Sequence, residues 1–300
     1  MKKLLILLLL IPALSFSFGQ NALTYGGKAL TYDSKVLTVE VAAYSTEYQA
    51  IYDAYTTKPS DATAVLQNAL VEGWIADGDW TTKDVIYVYA THTNGDGEAL
   101  INWKLPGTYD ATAYNAPTFT ANEGFTGNGT TQYIDCNWNP STNGINYVQN
   151  SASQIIYIRT DVISGANISH GTYGNVDNKN CNIFPRYSGD VAYITTNDNT
   201  PVNDVNADGS GMFMNTRIAV AVNKLYRNKV AIVEATTTST GVPTHNPYCL
   251  AYNDDDVASG HRVDQVSMYA FGSGMTQTNV NNFTDRFETY MDALGKGVIP

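Results

Sequence analysis

Oxygen donors recur at alternate positions in Asp204-Val205-Asn206-Ala207-Asp208-Gly209-Ser210-Gly211, where Asp204, Asn206 and Asp208 are the candidate ligands and Gly209 permits a sharp turn. A hard cation such as calcium takes several oxygens at about 2.4 Å, and this spacing matches the first half of a calcium loop. The second half departs from it, because Asn215 stands where a bidentate glutamate is expected. Calcium is the one cofactor this spacing suggests. Asp254-Asp255-Asp256 is a second acidic cluster and reads as a solvated loop tip. The histidines, His92, His170, His245 and His261, are scattered and read as surface or hydrogen-bonded loop residues. The chain has no Gly-x-Ser-x-Gly elbow, P-loop or His-Glu-x-x-His pair. Its cysteines, Cys136, Cys181 and Cys249, are odd in number and form no Cys-x-x-Cys pair, so they read as buried small hydrophobes with at most one internal disulfide.

Bulk properties narrow the partners. With 17 basic against 28 acidic side chains the formal charge is −11, so the basic footprint that nucleic acid or an anionic membrane requires is missing. Only 15% of the 300 residues are charged, whereas tyrosine alone contributes 21. That polar, uncharged composition is poor in helix formers and suits a β-rich extracellular surface.

The elements that must position these residues follow in order. Residues 1–20 carry a basic start, an apolar centre broken at Pro12 and a small-residue exit, the pattern of an export leader, with cleavage expected near Gly19-Gln20. Residues 21–43 hold a seven-residue repeat, Ala22-Leu23-Thr24-Tyr25-Gly26-Gly27-Lys28 and then Ala29-Leu30-Thr31-Tyr32-Asp33-Ser34-Lys35. Too few copies exist to stack into a core of their own, so the segment is expected to pair with something else, as an attachment or oligomerisation element. Residues 44–108 read as a small α+β prelude. Apolar spacing predicts helices over 45–58 and from 60 to Gly73 or Gly78, then a strand over 84–91 turning through Asn94-Gly95-Asp96-Gly97 to a partner at 98–103. From 117 to 294 short strands alternate with Gly, Asn and Asp turns: 118–121, 132–137, 154–159, 182–185, 191–195, 217–223, 229–234, 248–251 and 264–271. Strands at this spacing predict a mainly β sandwich or jelly roll, closed by a helix bearing Val280, Phe283, Phe287 and Met291 on one side.

Two stretches also carry a resemblance. Gly124-Phe125-Thr126-Gly127-Asn128-Gly129-Thr130-Thr131-Gln132-Tyr133-Ile134-Asp135, running to Tyr147, resembles concanavalin-like, laminin-G-like jelly-roll modules, in particular those of head and tail fibre proteins of tailed bacteriophages. Val266-Ser267-Met268-Tyr269-Ala270-Phe271-Gly272-Ser273-Gly274-Met275-Thr276 and the helix after it are similar to the way such modules close. The resemblance implies a carbohydrate- or surface-binding scaffold. On it, exposed aromatics would stack on sugar faces beside Asn and Asp, and Trp138, Tyr173, Tyr187 and Tyr248 are the candidates near strand ends. The glucanases of that superfamily place their carboxylates as Glu-x-Asp-x-x-Glu, whereas every glutamate here is isolated, so the chain is expected not to be an enzyme. The function implied is a non-catalytic virion surface protein, a head or tail fibre or spike. It would bind host or extracellular glycans, join other virion proteins through residues 21–43, and work as a homo-oligomer. A secreted or cell-surface bacterial lectin and a secreted glycosidase are the alternatives.

Overall fold

The computed structural model describes residues 43–300 apart from 166–168 and 175–178, together with four two-residue strands between residues 24 and 36. The leader expected at 1–20 lies outside the described residues. The chain forms two compact units, Met1–Tyr44 and Ser45–Pro300. In the first, Thr24–Tyr25 pairs antiparallel with Lys28–Ala29, and the same pairing recurs one repeat later between Thr31–Tyr32 and Lys35–Val36.

The second unit is a β-sandwich with a helical layer on one side. An eight-stranded sheet runs in the order Val230–Ala235, Val222–Arg227, Gly211–Ala219, Ala152–Ile158, Gln265–Gly272, Gly124–Thr126, Thr118–Thr120. Its eighth strand, Lys83–Val88, also pairs with Gln265–Gly272. The six-stranded sheet runs Val202–Val205, Val191–Asp198, Asn180–Tyr187, His170–Thr172, Tyr252–Asp254, Val257–Ser259, and a three-stranded sheet runs Tyr248–Cys249, Tyr133–Asp135, Thr112–Tyr114. Pairing is antiparallel except between His170–Thr172 and Tyr252–Asp254.

The central strand of the large sheet, Ala152–Ile158, is buried along its whole length because both faces are covered. Ile156, Ile158, Phe213, Tyr269 and Phe271 point into the core between the sheets. The alternate residues, such as Tyr157, Met268 and Met214, are buried too, on the helical side. There Phe287 of the closing helix Gln277–Ala293 meets Tyr157 edge-on at 5.0 Å, and the Tyr290 hydroxyl donates to the Ala90 carbonyl at 2.7 Å. Trp74 of the helix Asp61–Ala76 stacks on Phe283 at 4.6 Å. Gly73, expected to help end that helix, lies within it, and a Cβ there would sit 2.6 Å from the Arg286 side chain.

Three local expectations differ from the fold. The partner strand expected at 98–103 is a 3-10 turn, Glu98–Leu100, with a single bridge from Asn102 to Tyr87. Asn102 and Trp103, the latter donating its N–H to the Ile86 carbonyl at 2.8 Å, lie along the edge of Lys83–Val88 opposite Gln265–Gly272 without extending into a strand. The strand expected at 217–223 is a hairpin, in which Ala219 faces Val222 at the end of two long arms. No Gly, Pro or Asn marks that turn; the pairing of the arms imposes it on a β-branched run. The strand over 202–205 occupies the first residues of the expected calcium loop.

Candidate functional site

Register assembles a polar row across the six-stranded sheet. Thr195 pairs with Asn182, Asn182 with Gly171, Gly171 with Tyr252, and Tyr252 with Ser259. Paired residues share a face, and the neighbours Cys181, Ile183 and Ile194 belong to the core, so the row lies on the face turned away from it. At its centre Gly171 has φ +128°, and a Cβ would stand 2.0 Å from the Cys181 carbonyl oxygen. Only glycine fits there, because the neighbouring strand's backbone fills the space a Cβ would need. Phe184 and Tyr193 flank one side, paired in register and edge-on at 5.9 Å, and Tyr187 packs on Tyr193 at 5.5 Å. Tyr173 flanks the other side and meets Tyr252 edge-on at 5.7 Å.

Two atoms of this row are among the buried polar atoms that lack a partner. Asn182 and Thr195 are each 1% exposed, yet the Asn182 Oδ1 and Thr195 Oγ1 atoms have no hydrogen-bond partner. A buried polar atom left unpaired costs about 1–3 kcal/mol, which an incoming hydroxyl or amide would recover. The carbonyl oxygen of Asn182 can only accept, while the Thr195 hydroxyl can both accept and donate. Neighbouring aromatics supply apolar contact. Burial raises the Tyr252 phenol, with Asp254 adding to the effect, so it remains a neutral hydrogen-bond donor.

The residues expected from sequence are distributed differently. Tyr173 and Tyr187 are half-buried at the two flanks of the polar row. Trp138 is corrected: it is 0% exposed, packed on Tyr147 at 5.8 Å and on Phe271 at 5.4 Å, and offers no ring face to a ligand. Its strand-end position suggested exposure, but it closes one end of the core. Tyr248 lies on the three-stranded sheet, where its ring covers Tyr133 at 4.7 Å.

The calcium candidates do not form one ligand set. Asp204 is exposed on the edge strand and accepts the Val205 N–H at 2.7 Å. The Asn206 amide donates to the carbonyls of Pro185 at 2.6 Å and Asp208 at 2.7 Å. Asp208 accepts from the Ser210 N–H and hydroxyl and pairs with Arg227, a cation where a metal would stand. Among the described residues no group of three or more His, Cys, Asp or Glu is arranged to hold a metal.

One buried constellation has the connectivity of a nucleophile, a base and an orienting carboxylate. Cys249 Sγ lies 3.9 Å from His170 Nδ1, and His170 Nε2 lies 3.0 Å from Asp264 Oδ2. It is structural instead, because His170 Nδ1 already accepts the Leu250 N–H at 3.0 Å. That bond places the ring proton on Nε2, facing Asp264. Burial pushes the Cys249 thiol up, with Asp264 adding to it, and all three side chains are buried away from solvent. Burial alone would raise the Asp264 carboxyl, but Arg262 and the bond from His170 hold it below the ordinary carboxylate range. Two of the histidines read as surface or loop residues are thereby distinguished: His170 is a core residue, whereas His245 reaches Asp256 at the surface.

Comparison with known proteins adds the following. No protein-family model matches the chain, and no curated protein matches it. Solved structures do. Domain 4 of an extracellular GH43 arabinanase from Geobacillus stearothermophilus, in complex with arabinotriose, is similar over 68% of this chain and 98% of its own, at 11% identity and a TM-score of 0.44. A mutant of Trypanosoma rangeli sialidase displaying trans-sialidase activity is similar over 78% of this chain at 12% identity and a TM-score of 0.47; the match spans only 40% of the sialidase. The expectation that the chain is not an enzyme is corrected here, since an arabinanase and sialidases stand among its structural neighbours. Lack of one glutamate motif does not exclude catalysis, because carboxylates from separate strands can meet in a fold. A likeness this slight transfers neither a substrate nor a catalytic residue.

Proposed function

We propose that this chain binds a glycan across the polar row of the six-stranded sheet, with sugar hydroxyls at Asn182 and Thr195 and the sugar's apolar faces against the flanking aromatics. The observation that carries this reading is the pair of unpartnered oxygens of Asn182 and Thr195 on the sheet face opposite the core; both side chains are 1% exposed, so a sugar reaches them only by displacing what covers the row. A sugar supplies both things such a row lacks, hydroxyl partners and flat C–H surface. The setting we place it in is the exterior, on a virion surface or outside a bacterial cell, where residues 21–43 would join copies to an assembly. Linked copies would matter, because single glycan contacts are weak and multivalency raises apparent affinity by about 10²–10⁴.

A glycan array on the purified chain tests the reading, followed by a reducing-sugar assay on whatever binds. Binding that is lost in both Asn182→Ala and Thr195→Val supports it. Binding untouched by either substitution, or no binding at all, overturns it. Mass spectrometry of the native amino terminus, together with whether the protein is found in virions or free, decides the setting.

A further inference from the structure

A buried amine sits where the helical layer meets the large sheet. Gln265–Gly272 pairs Phe271 with Val85 and Gly272 with Lys83, so Asp84 is an extra residue and the alternation of faces slips there. Phe271 and Val85 face the core between the sheets, whereas Gly272 and Lys83 belong to the helical side. Gly272 leaves room for the lysine stem, since a Cβ there would stand 2.9 Å from Lys83 Cδ. Lys83 is 1% exposed; its Nζ donates to the Thr82 hydroxyl at 2.9 Å and lies 5.4 Å from the centre of the Phe283 ring. Burial lowers the Lys83 ammonium to about 8, with Asp79 opposing the shift and Lys104 adding to it.

A carboxyl and a carboxamide share that place. Asp79 is 0% exposed; its Oδ1 accepts from Asn279 Nδ2 at 3.1 Å, and its Oδ2 has no hydrogen-bond partner. Burial raises the Asp79 carboxyl, with Lys83 and the Asn279 bond opposing it. A neutral acid accounts for this geometry, because its carbonyl oxygen accepts while the other oxygen carries the proton. Asn279 stands in the first turn of Gln277–Ala293, one turn before Phe283 on the same helix face. Phe283 and Asp79 thus neighbour both the Lys83 amine and Asn279, and the flexible lysine stem spans the remaining gap. Asn279 Oδ1 accepts the Thr276 N–H at 3.3 Å and the Thr276 hydroxyl at 2.5 Å, two donors that polarise the carboxamide carbon.

We propose that Lys83 and Asn279 join in an intramolecular amide bond, made by the chain on itself, that fastens the closing helix to the large sheet. The neutral Lys83 Nζ attacks Asn279 Cγ, and negative charge gathers on Oδ1, where the two Thr276 donors hold it. Asp79 gives its proton to Nδ2 and takes the surplus proton from Nζ. The Nζ–Cγ bond forms, the Cγ–Nδ2 bond breaks, and one ammonia leaves; the balance needs no oxidant or co-reactant. The bond joins segments nearly two hundred positions apart, and it is independent of the glycan-binding reading.

Tryptic peptide mapping of the full chain by mass spectrometry tests this. The expected product is a branched peptide joining the segments around Lys83 and Asn279, lighter by one ammonia than the two peptides together, with no cleavage after Lys83. Mapping places the loss, so ammonia lost elsewhere in the chain is not mistaken for it. Lys83→Arg and Asn279→Ala should each abolish the branched peptide. Asp79→Asn should slow its appearance after cell-free synthesis by about a hundredfold or more, the scale of one positioned proton-transfer group. Circular dichroism of each variant checks that it folds. Unmodified Lys83 and Asn279 peptides from the folded parent chain overturn the inference, whatever the variants do. So does an ammonia loss at Asn279 that persists in Lys83→Arg.

Discussion

His170 and Asn182 are buried polar side chains one strand apart, and they differ in what they lack. Every nitrogen of the His170 ring is engaged, by Leu250 and by Asp264. Burial lowers its pKa below the ordinary histidine value, Arg262 adds to the lowering, and the bond to Asp264 opposes it. The ring is therefore neutral in the fold, and the unfolded chain takes up the proton first once the pH drops below about 6.5. Stability from this group is complete above that pH and is lost as the pH falls toward the folded pKa. Urea denaturation between pH 8 and pH 5 should show stability declining by up to about 1.4 kcal/mol per pH unit below pH 6.5, with the slope flattened in His170→Gln. An unchanged slope in the variant would mean that another group drives it. Asn182 behaves oppositely, because its Oδ1 has no partner and its amide makes one long bond, 3.4 Å, to the Thr172 carbonyl. Asn182→Ala should leave the melting temperature within a few degrees of the parent, as for a ΔΔG of about 0.5 kcal/mol or less, while glycan binding disappears.

Close approach decides two of the elements. Gly124 begins the strand Gly124–Thr126 at φ +103°, and a Cβ would lie 2.0 Å from the Val266 carbonyl oxygen. Gly124→Ala must therefore either move that strand off Gln265–Gly272 or strain its backbone, and about 1–3 kcal/mol of stability should be lost in chemical denaturation. The helical layer depends on Trp74, which is fully buried between helices. Trp74→Ala should cost about 3–5 kcal/mol by leaving a cavity against Phe283 and Phe287, measurable by the same method. Helix positions were legible in advance because their apolar residues recur at helical spacing and their caps are local: Ser45, Ser60 and Thr276 each accept a backbone N–H three residues on. Strand pairing was not, and the hairpin at Ala219 and Val222 shows why, since its turn follows from arms more than a local run long.

At the scale of the whole molecule, Lys83–Val88 sits beside Gln265–Gly272, so residues nearly two hundred positions apart complete one sheet. The second unit, Ser45–Pro300, is accordingly expected to unfold in a single transition by calorimetry. Two separate transitions within 45–300 would show that the helical layer and the sandwich fold independently.

Composition and local pattern alone determined the mainly β class and the helices with their caps, because each depends on residue type and on neighbours a few positions away. They also put Tyr173, Tyr187 and Tyr248 near strand ends, where they are found. Only the tertiary structure decided that Trp138 is core, that Arg227 occupies Asp208, and that Thr195, Asn182, Gly171 and Tyr252 form one row. Strand register is set by contacts between distant segments, and a shift of one residue would turn Asn182 inward and Ile183 outward. No local pattern carries that choice; the packing of Ile183 and Ile194 into the common core makes it.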